Sequence, residues 1–222
     1  MPDCISCPRF DRDLNACHAR HKDPKMPVTT TVYDMRRCTN TLLDLHIPDM
    51  IGKRVLEVGF GWTNDCEKML RDKPGTEWLG IDPRWRIPEG SSKCKFQMSV
   101  DKMGFPDGHF DVVYASQTME HWGEPWGVHK DTTATPDAGL AEISRVMKQG
   151  GVLLVDVPIL SHGSRMFKSG DLDGIRNMFS GSVWHDVWHD VVLEPWGRDC
   201  SPLLRNRRHN KEYVLAIRAV RK

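Results

Sequence analysis

Apolar positions along this chain change their period several times, and each change marks an element. In TVYDMRRCTNTLLDLHIPDMIG, residues 31–52, Met35, Leu42, Leu43 and Leu45 share one helical face, and Pro48 and Gly52 close it. RVLEVGF (54–60) is apolar and β-branched around a single acid and reads as a buried strand. NDCEKMLRDK (64–73) reads as the helix after it, broken by Pro74 and Gly75. EWLGID (77–82) and FDVVYAS (110–116) are further strands, the second preceded by the turn PDGH. TPDAGLAEISRVMKQGG (135–151) is the clearest helix. Thr135 is its expected N-cap with Pro136 at the first helical position. Leu140, Ile143 and Met147 follow at helical spacing, and Gly150 or Gly151 is expected to cap the C-terminus. VLLVDVP (152–158), a short helix near LDGIRNMF, a strand near DVVLEP and the strand EYVLAIRAV complete the chain. Strands alternating with helices imply an α/β fold with a mostly parallel sheet covered on both faces.

Composition narrows the classes. The chain has 222 residues, 39% hydrophobic and 27% charged, enough for a packed core. Its 31 basic residues against 30 acidic leave a net charge of +1, which argues against general nucleic-acid binding through a global positive field. No apolar run is long enough for a membrane span. MPDCISCPRF at the start lacks the apolar h-region of a secretory signal. The seven scattered cysteines then suit reduced thiols in a cytoplasmic setting.

The chemistry begins in RVLEVGFGWTND. A strand followed by Gly59-x-Gly61 and a helix offers backbone N–H groups and close approach to a ligand. A side chain at Gly59 is expected to fill space reserved for that ligand. Glu57 lies inside the strand, where a carboxylate needs donors or a polar ligand. Asp82 closes the next strand, where a carboxylate can accept hydrogen bonds from a ribose cis-diol. The third glycine of a dinucleotide fingerprint is missing: its place falls on Asn64, which counts against a nicotinamide-dependent oxidoreductase.

Taken in order, VLEVGFG, LGID, MGFPDGHFDVVYASQTMEHW and EISRVMKQGGVLLVDVP resemble the class I S-adenosylmethionine-dependent methyltransferases over residues 50–160, nearest to the small-molecule and glycan type. The resemblance implies a Rossmann-like, doubly wound, seven-stranded, mostly parallel sheet and S-adenosylmethionine as cofactor. It places Glu57, Gly59, Phe60 and Gly61 beside the methionine part of the cofactor and Asp82 on the ribose. Ser99, Val100 and Asp101 fall at the adenine edge, and Ser116 near the sulfonium. Family members usually carry an acid where this chain has Ser99, so Ser99 and Asp101 both stand as candidates for reading the adenine amino group.

A hydroxyl acceptor needs a base, and His121 in MEHW is the first candidate, with His129 and His162 on later loops. Trp62, Trp85, Trp122 and Trp126, four of eight tryptophans, follow strand ends and offer flat faces for a sugar or aromatic ring, with ordinary packing as the alternative. WHDVWHDV sets His185 and His189 at helical metal spacing, but its alternation favours a strand. VPILSHGSRMF and the later LDGIRNMF are similar to glycan-modifying relatives, and that resemblance implies a polar hydroxyl-bearing small molecule or a saccharide as acceptor.

Residues 1–27 form a separate Cys/His-rich extension, a small knuckle ahead of the methyltransferase domain at 28–222. Cys4 and Cys7 in a C-x2-C pair, with Cys17 and His21, can present four ligands to zinc, and Cys38 is an alternative fourth. The competing function is a methyltransferase-fold partner subunit that keeps the cofactor pocket without catalysis of its own.

Overall fold

The structure is a computed structural model that describes residues 43, 46–61, 65–83, 93–123, 134–159, 163–193 and 213–222, with the backbone alone for 188–193 and 213. Residues 46–50 are helical. Strand β1 (Arg54–Val58) leads to helix α1 (Asp65–Leu70), β2 (Glu77–Ile81) and the two-residue β3 (Lys95–Phe96). Strand β4 (Phe110–Ser116) is followed by a 3-10 turn (Met119–His121), α2 (Pro136–Val146) and β5 (Met147–Ile159). Short helices α3 (Arg165–Ser169) and α4 (Leu172–Asn177) precede β6 (Trp184–Leu193) and β7 (Tyr213–Arg221).

The seven strands form one sheet in the order β3-β2-β1-β4-β5-β7-β6. The pairs from β3 to β5 are parallel, and β7 runs antiparallel between β5 and β6. The doubly wound α/β expectation holds. Strand order reverses between β1 and β4, so the carboxyl ends of β2, β1 and β4 lie side by side where such sheets leave a crevice.

Side chains alternate across each strand, which divides the core in two. On one face Leu56, Val113, Leu153 and Val155 pack with Leu140 and Ile143 of α2. On the other, Val55, Val112 and Leu154 pack with Leu43, Ile47 and Met50 from the N-terminal side. The helix predicted ahead of β1 is thus present in its last turns, with Leu43 as one of its buried positions. Pro48 does not stop it, since residues 46–50 are helical through that position. Met35, Leu42 and Leu45 lie outside the described residues.

Thr135 caps α2 as predicted: its Oγ1 accepts from the Ala138 N–H at 3.2 Å, and Pro136 opens the helix. The other end differs from expectation. The helix stops at Val146, and Met147 is already strand, fully buried and paired with Phe110. Gly150 and Gly151 lie instead at a register shift, where Phe110 pairs with Met147 but Val112 with Val152. A Cβ at Gly151 would come within 2.8 Å of the Lys148 carbonyl, so the glycine serves the bulge and not a helix cap. WHDVWHDV is strand, with a register shift between His185 and Trp188 and a left-handed Asp186 (φ 47°), which removes the helical metal spacing.

Candidate cofactor site

β1 ends at Val58 and the chain turns through Gly59 (φ 73°) and Gly61 (φ 55°), a left-handed pair that glycine adopts without strain. The Gly59 N–H donates to the Ile81 carbonyl at 2.7 Å, carrying the β1–β2 ladder past the strand end. The same ladder sets Asp82 just beyond β2. Its carboxylate is 1% exposed, and Oδ2 accepts from the Gly61 N–H at 3.1 Å. Loop and acid therefore hold each other: the glycine turn presents an N–H that helps to offset the burial of the charge.

Gly59 answers to a protein neighbour. A Cβ there would come within 2.5 Å of Thr118 Oγ1 and 2.8 Å of Thr118 Cβ. The space expected to be reserved for a ligand is filled by the segment that follows β4, so this glycine lets the two loops meet.

Glu57 is 7% exposed, and its Oε2 accepts from Trp78 Nε1 at 3.0 Å. Gly80 makes room for this contact: a Cβ there would meet the Trp78 ring at 2.7 Å and Phe60 at 2.8 Å. The Phe60 ring is buried edge-on to Trp78, so its side chain serves the core while its backbone lies in the loop.

Ser116 is the last residue of β4 and the register partner of Asp156 on β5. Its neighbour Gln117 is left-handed (φ 48°), a strained conformation for a non-glycine residue, and donates its N–H to the Asp156 carbonyl at 2.7 Å. Ser99 donates to Asp101 in a short hydrogen bond, and between them Val100 is buried. The two candidates for the adenine edge are thus joined to each other.

His121 lies in the 3-10 turn with Nε2 3.5 Å from Oε1 of the fully buried Glu120. The Glu120 carbonyl accepts the Ser164 N–H at 2.7 Å, and a Cβ on Gly163 would come within 2.6 Å of Glu120 Cβ. The turn is fastened to the segment after β5. Trp122 is 6% exposed and packs against Gly139 in the core, so it is not the platform expected of it. Trp62, Trp85, Trp126, His129, His162 and the cysteine set Cys4, Cys7, Cys17, His21 and Cys38 lie outside the described residues.

Two site-face residues escape a reading of the sequence. Asp156 is fully buried, and its Oδ1 lies 3.2 Å from His46 Nε2, contributed by the helical segment before β1. Tyr114 stands edge-on to His46, with ring centroids 6.0 Å apart. Burial, then the nearby Asp156 carboxylate, push the Tyr114 phenol well above its ordinary range, against a hydrogen bond with Ser116 that lowers it. Tyr114 is therefore a neutral donor at any working pH.

A family model described as "Methyltransferase domain" matches residues 56–155. The chain carries a class I S-adenosylmethionine-dependent methyltransferase domain. The match runs from β1 to β5 and so takes in both the glycine turn and Asp82. No curated protein sequence matches the chain. Among solved structures, the methyltransferase is similar to a putative methyltransferase from Haloferax volcanii in complex with the Trm112 activator, at 17% identity and TM-score 0.60, covering 94% of this chain and 97% of that one. A possible histamine N-methyltransferase from Thermotoga maritima aligns at 16% identity and TM-score 0.56, covering 96% and 98%. The [4+2]-cyclase SpnF aligns at 16% identity and TM-score 0.53, covering 81% and 80%. At these identities the likenesses establish the fold.

The residues fit the cofactor. A carboxylate at the end of β2, tied to a left-handed glycine turn at the end of β1, is the donor and acceptor set that an adenosyl group with an amino-acid tail requires. Among the described residues no helix is long and apolar enough to cross a membrane, and no group of three or more His, Cys, Asp or Glu side chains could hold a metal.

Proposed function

We propose that this methyltransferase transfers a methyl group to a hydroxyl oxygen of a polar small molecule or saccharide. The observation that carries the cofactor half of the reading is the buried Asp82, held by the Gly61 N–H beside the Glu57 strand end. In this reading Asp82 accepts the ribose hydroxyls. Glu57 and the Gly59–Phe60–Gly61 backbone flank the methionine part. Ser99, Val100 and Asp101 border the adenine, and Ser116 lies near the sulfur. When bound, S-adenosylmethionine supplies an electrophilic methyl on a positively charged sulfur. The chain's task is to align the acceptor and receive its proton, and alignment alone contributes several kcal/mol. His121 is the acid–base candidate carried by the sequence pattern.

In support of a polar acceptor, polar groups gather on the carboxyl side of the sheet: the half-buried Ser116 and the buried Tyr114 and Asp156. The test is a screen with radiolabelled S-adenosylmethionine against sugars, polyols, phenols and amines. Label in a hydroxyl compound supports the reading; label only in amines moves the acceptor class, and no transfer with tight cofactor binding favours the partner-subunit reading. The Haloferax neighbour, seen with an activator, favours a second reading in which this enzyme also works with a protein partner.

Residues 1–27 are proposed as a zinc-held knuckle on Cys4, Cys7, Cys17 and His21, ahead of a domain at 28–222. About one equivalent of zinc in the purified protein, lost as pH falls, is the expected result; metal-free protein with the same proteolytic pattern before and after chelation overturns it. A cytoplasmic setting is proposed with it, since reduced thiols suit the seven scattered cysteines.

A further inference from the structure

Besides His121 beside Glu120, a second histidine on this face has a buried carboxylate partner: His46, beside Asp156. Asp156 sits at the carboxyl half of β5, register partner of Ser116, which ends β4 next to the glycine turn. It is fully buried; Oδ1 takes the His46 ring nitrogen Nε2 at 3.2 Å, and Oδ2 has no hydrogen-bond partner among the described residues. His46 keeps 11% of its side chain accessible, in a helical turn otherwise sealed by Ile47 and Met50. A carboxylate that fixes one nitrogen of an imidazole sets the tautomer and leaves the other nitrogen for chemistry. A core needing only apolar packing would not bring these two groups together, since burying a carboxylate is expensive without a use or full pairing.

We propose that His46, oriented by Asp156, is the base that receives the acceptor's proton, at the end of the sheet where Ser116 meets the transferred methyl group. This rests on the methyltransferase reading above and assigns its acid–base residue. As the acceptor oxygen bonds to the methyl carbon and the sulfur–methyl bond breaks, the hydroxyl proton passes to His46 Nδ1. The imidazolium is stabilised by Asp156, and the sulfur leaves as a neutral thioether. Charge balances: one positive charge passes from sulfur to imidazole. Around His46 stand Asp156 from β5 and Tyr114 from β4, and Tyr114 in turn feels Asp156, Cys66 of α1 and Glu57 of β1. On the His46 helix there is Asp49, which meets Arg218 of β7 at 3.7 Å.

The test needs no acceptor. S-adenosylmethionine and S-adenosylhomocysteine differ by one positive charge on sulfur, and a base placed to serve the methyl group must sense it. A unit charge about 8 Å away at an effective dielectric of about 40 shifts a titration midpoint by roughly 0.8 pH unit. The midpoint of His46 is followed by 15N NMR of the full chain, first without ligand, then saturated with each ligand in turn. The resonance is assigned by its absence in His46→Gln or, should that variant not fold, as the one moved most by Asp156→Asn. The midpoint should lie about 0.8 unit lower with S-adenosylmethionine than with S-adenosylhomocysteine. Equal midpoints with both ligands bound by calorimetry overturn the proposal and leave the cofactor site standing. Binding of neither ligand overturns both.

Discussion

At the scale of single residues, glycines and acids divide the work at the end of β1. Gly59 is glycine for two reasons at once: a φ of 73°, and Thr118 Oγ1 2.5 Å from where a Cβ would stand. Replacing it forces strain and a displaced neighbour together. Gly59→Ala is therefore expected to lower stability by about 1–3 kcal/mol, since overpacking and backbone strain each fall in that range. Urea denaturation measures it; a change under about 0.5 kcal/mol would show that Thr118 moves aside freely. Asp82 and Glu57 were legible because an acid inside or just after an apolar run stands out in the sequence. Asp156 was equally visible in VLLVDVP, but its partner lies 110 residues earlier, and no local pattern joins them. Thr118 and Trp78 escaped for the same reason, since each acts on the site through a contact made across strands.

Among the elements, α2 is the one whose ends show best what a pattern can and cannot tell. Its N-cap is local chemistry, Thr135 and Pro136, and could be read directly. Its C-terminus is decided by Met147 entering the sheet against Phe110, a tertiary choice that overrode two glycines resembling a cap. β3 is two residues long, too short to show any period. The outer end of α2 also carries the main ion cluster on that side. Glu142 accepts from Arg145 at 2.7 and 2.8 Å and from the Met103 N–H at 2.8 Å, tying α2 to the loop before β4. The Arg145 hydrogen bonds, against some burial, hold the Glu142 carboxyl below its ordinary 4.5. Asp111 is also lowered: burial raises it, but Lys148 and the Arg54 N–H outweigh that. A depressed carboxylate contributes stability that is fully present above its unfolded pKa and lost as pH falls through the folded one. Melting temperature should therefore drop as pH falls below about 4.5, and Glu142→Gln should flatten that fall while costing about 1–2 kcal/mol at neutral pH. An unchanged acid profile in Glu142→Gln would place the sensitivity elsewhere.

For the molecule as a whole, the sheet order explains why residues from 57 to 156 meet. β2, β1 and β4 are neighbours, so three consecutive carboxyl ends bring the glycine turn, Asp82 and Ser116 into one row, with Asp156 beside them on β5. The alternation of strands and helices made the sheet legible, and the seven strands came with the family resemblance. The pairing of the N-terminal helical turn with β5 did not, because no pattern in either segment names the other. The claim on which the rest depends is that this row binds an adenosyl cofactor through Asp82. Titration calorimetry of the full chain with S-adenosylhomocysteine tests it most directly. One site per chain is expected, with no comparable heat from NAD and a loss of about 1.5–3 kcal/mol in Asp82→Ala, tenfold to more than a hundredfold in Kd. No heat with S-adenosylhomocysteine, or equal affinity in Asp82→Ala, would contradict it.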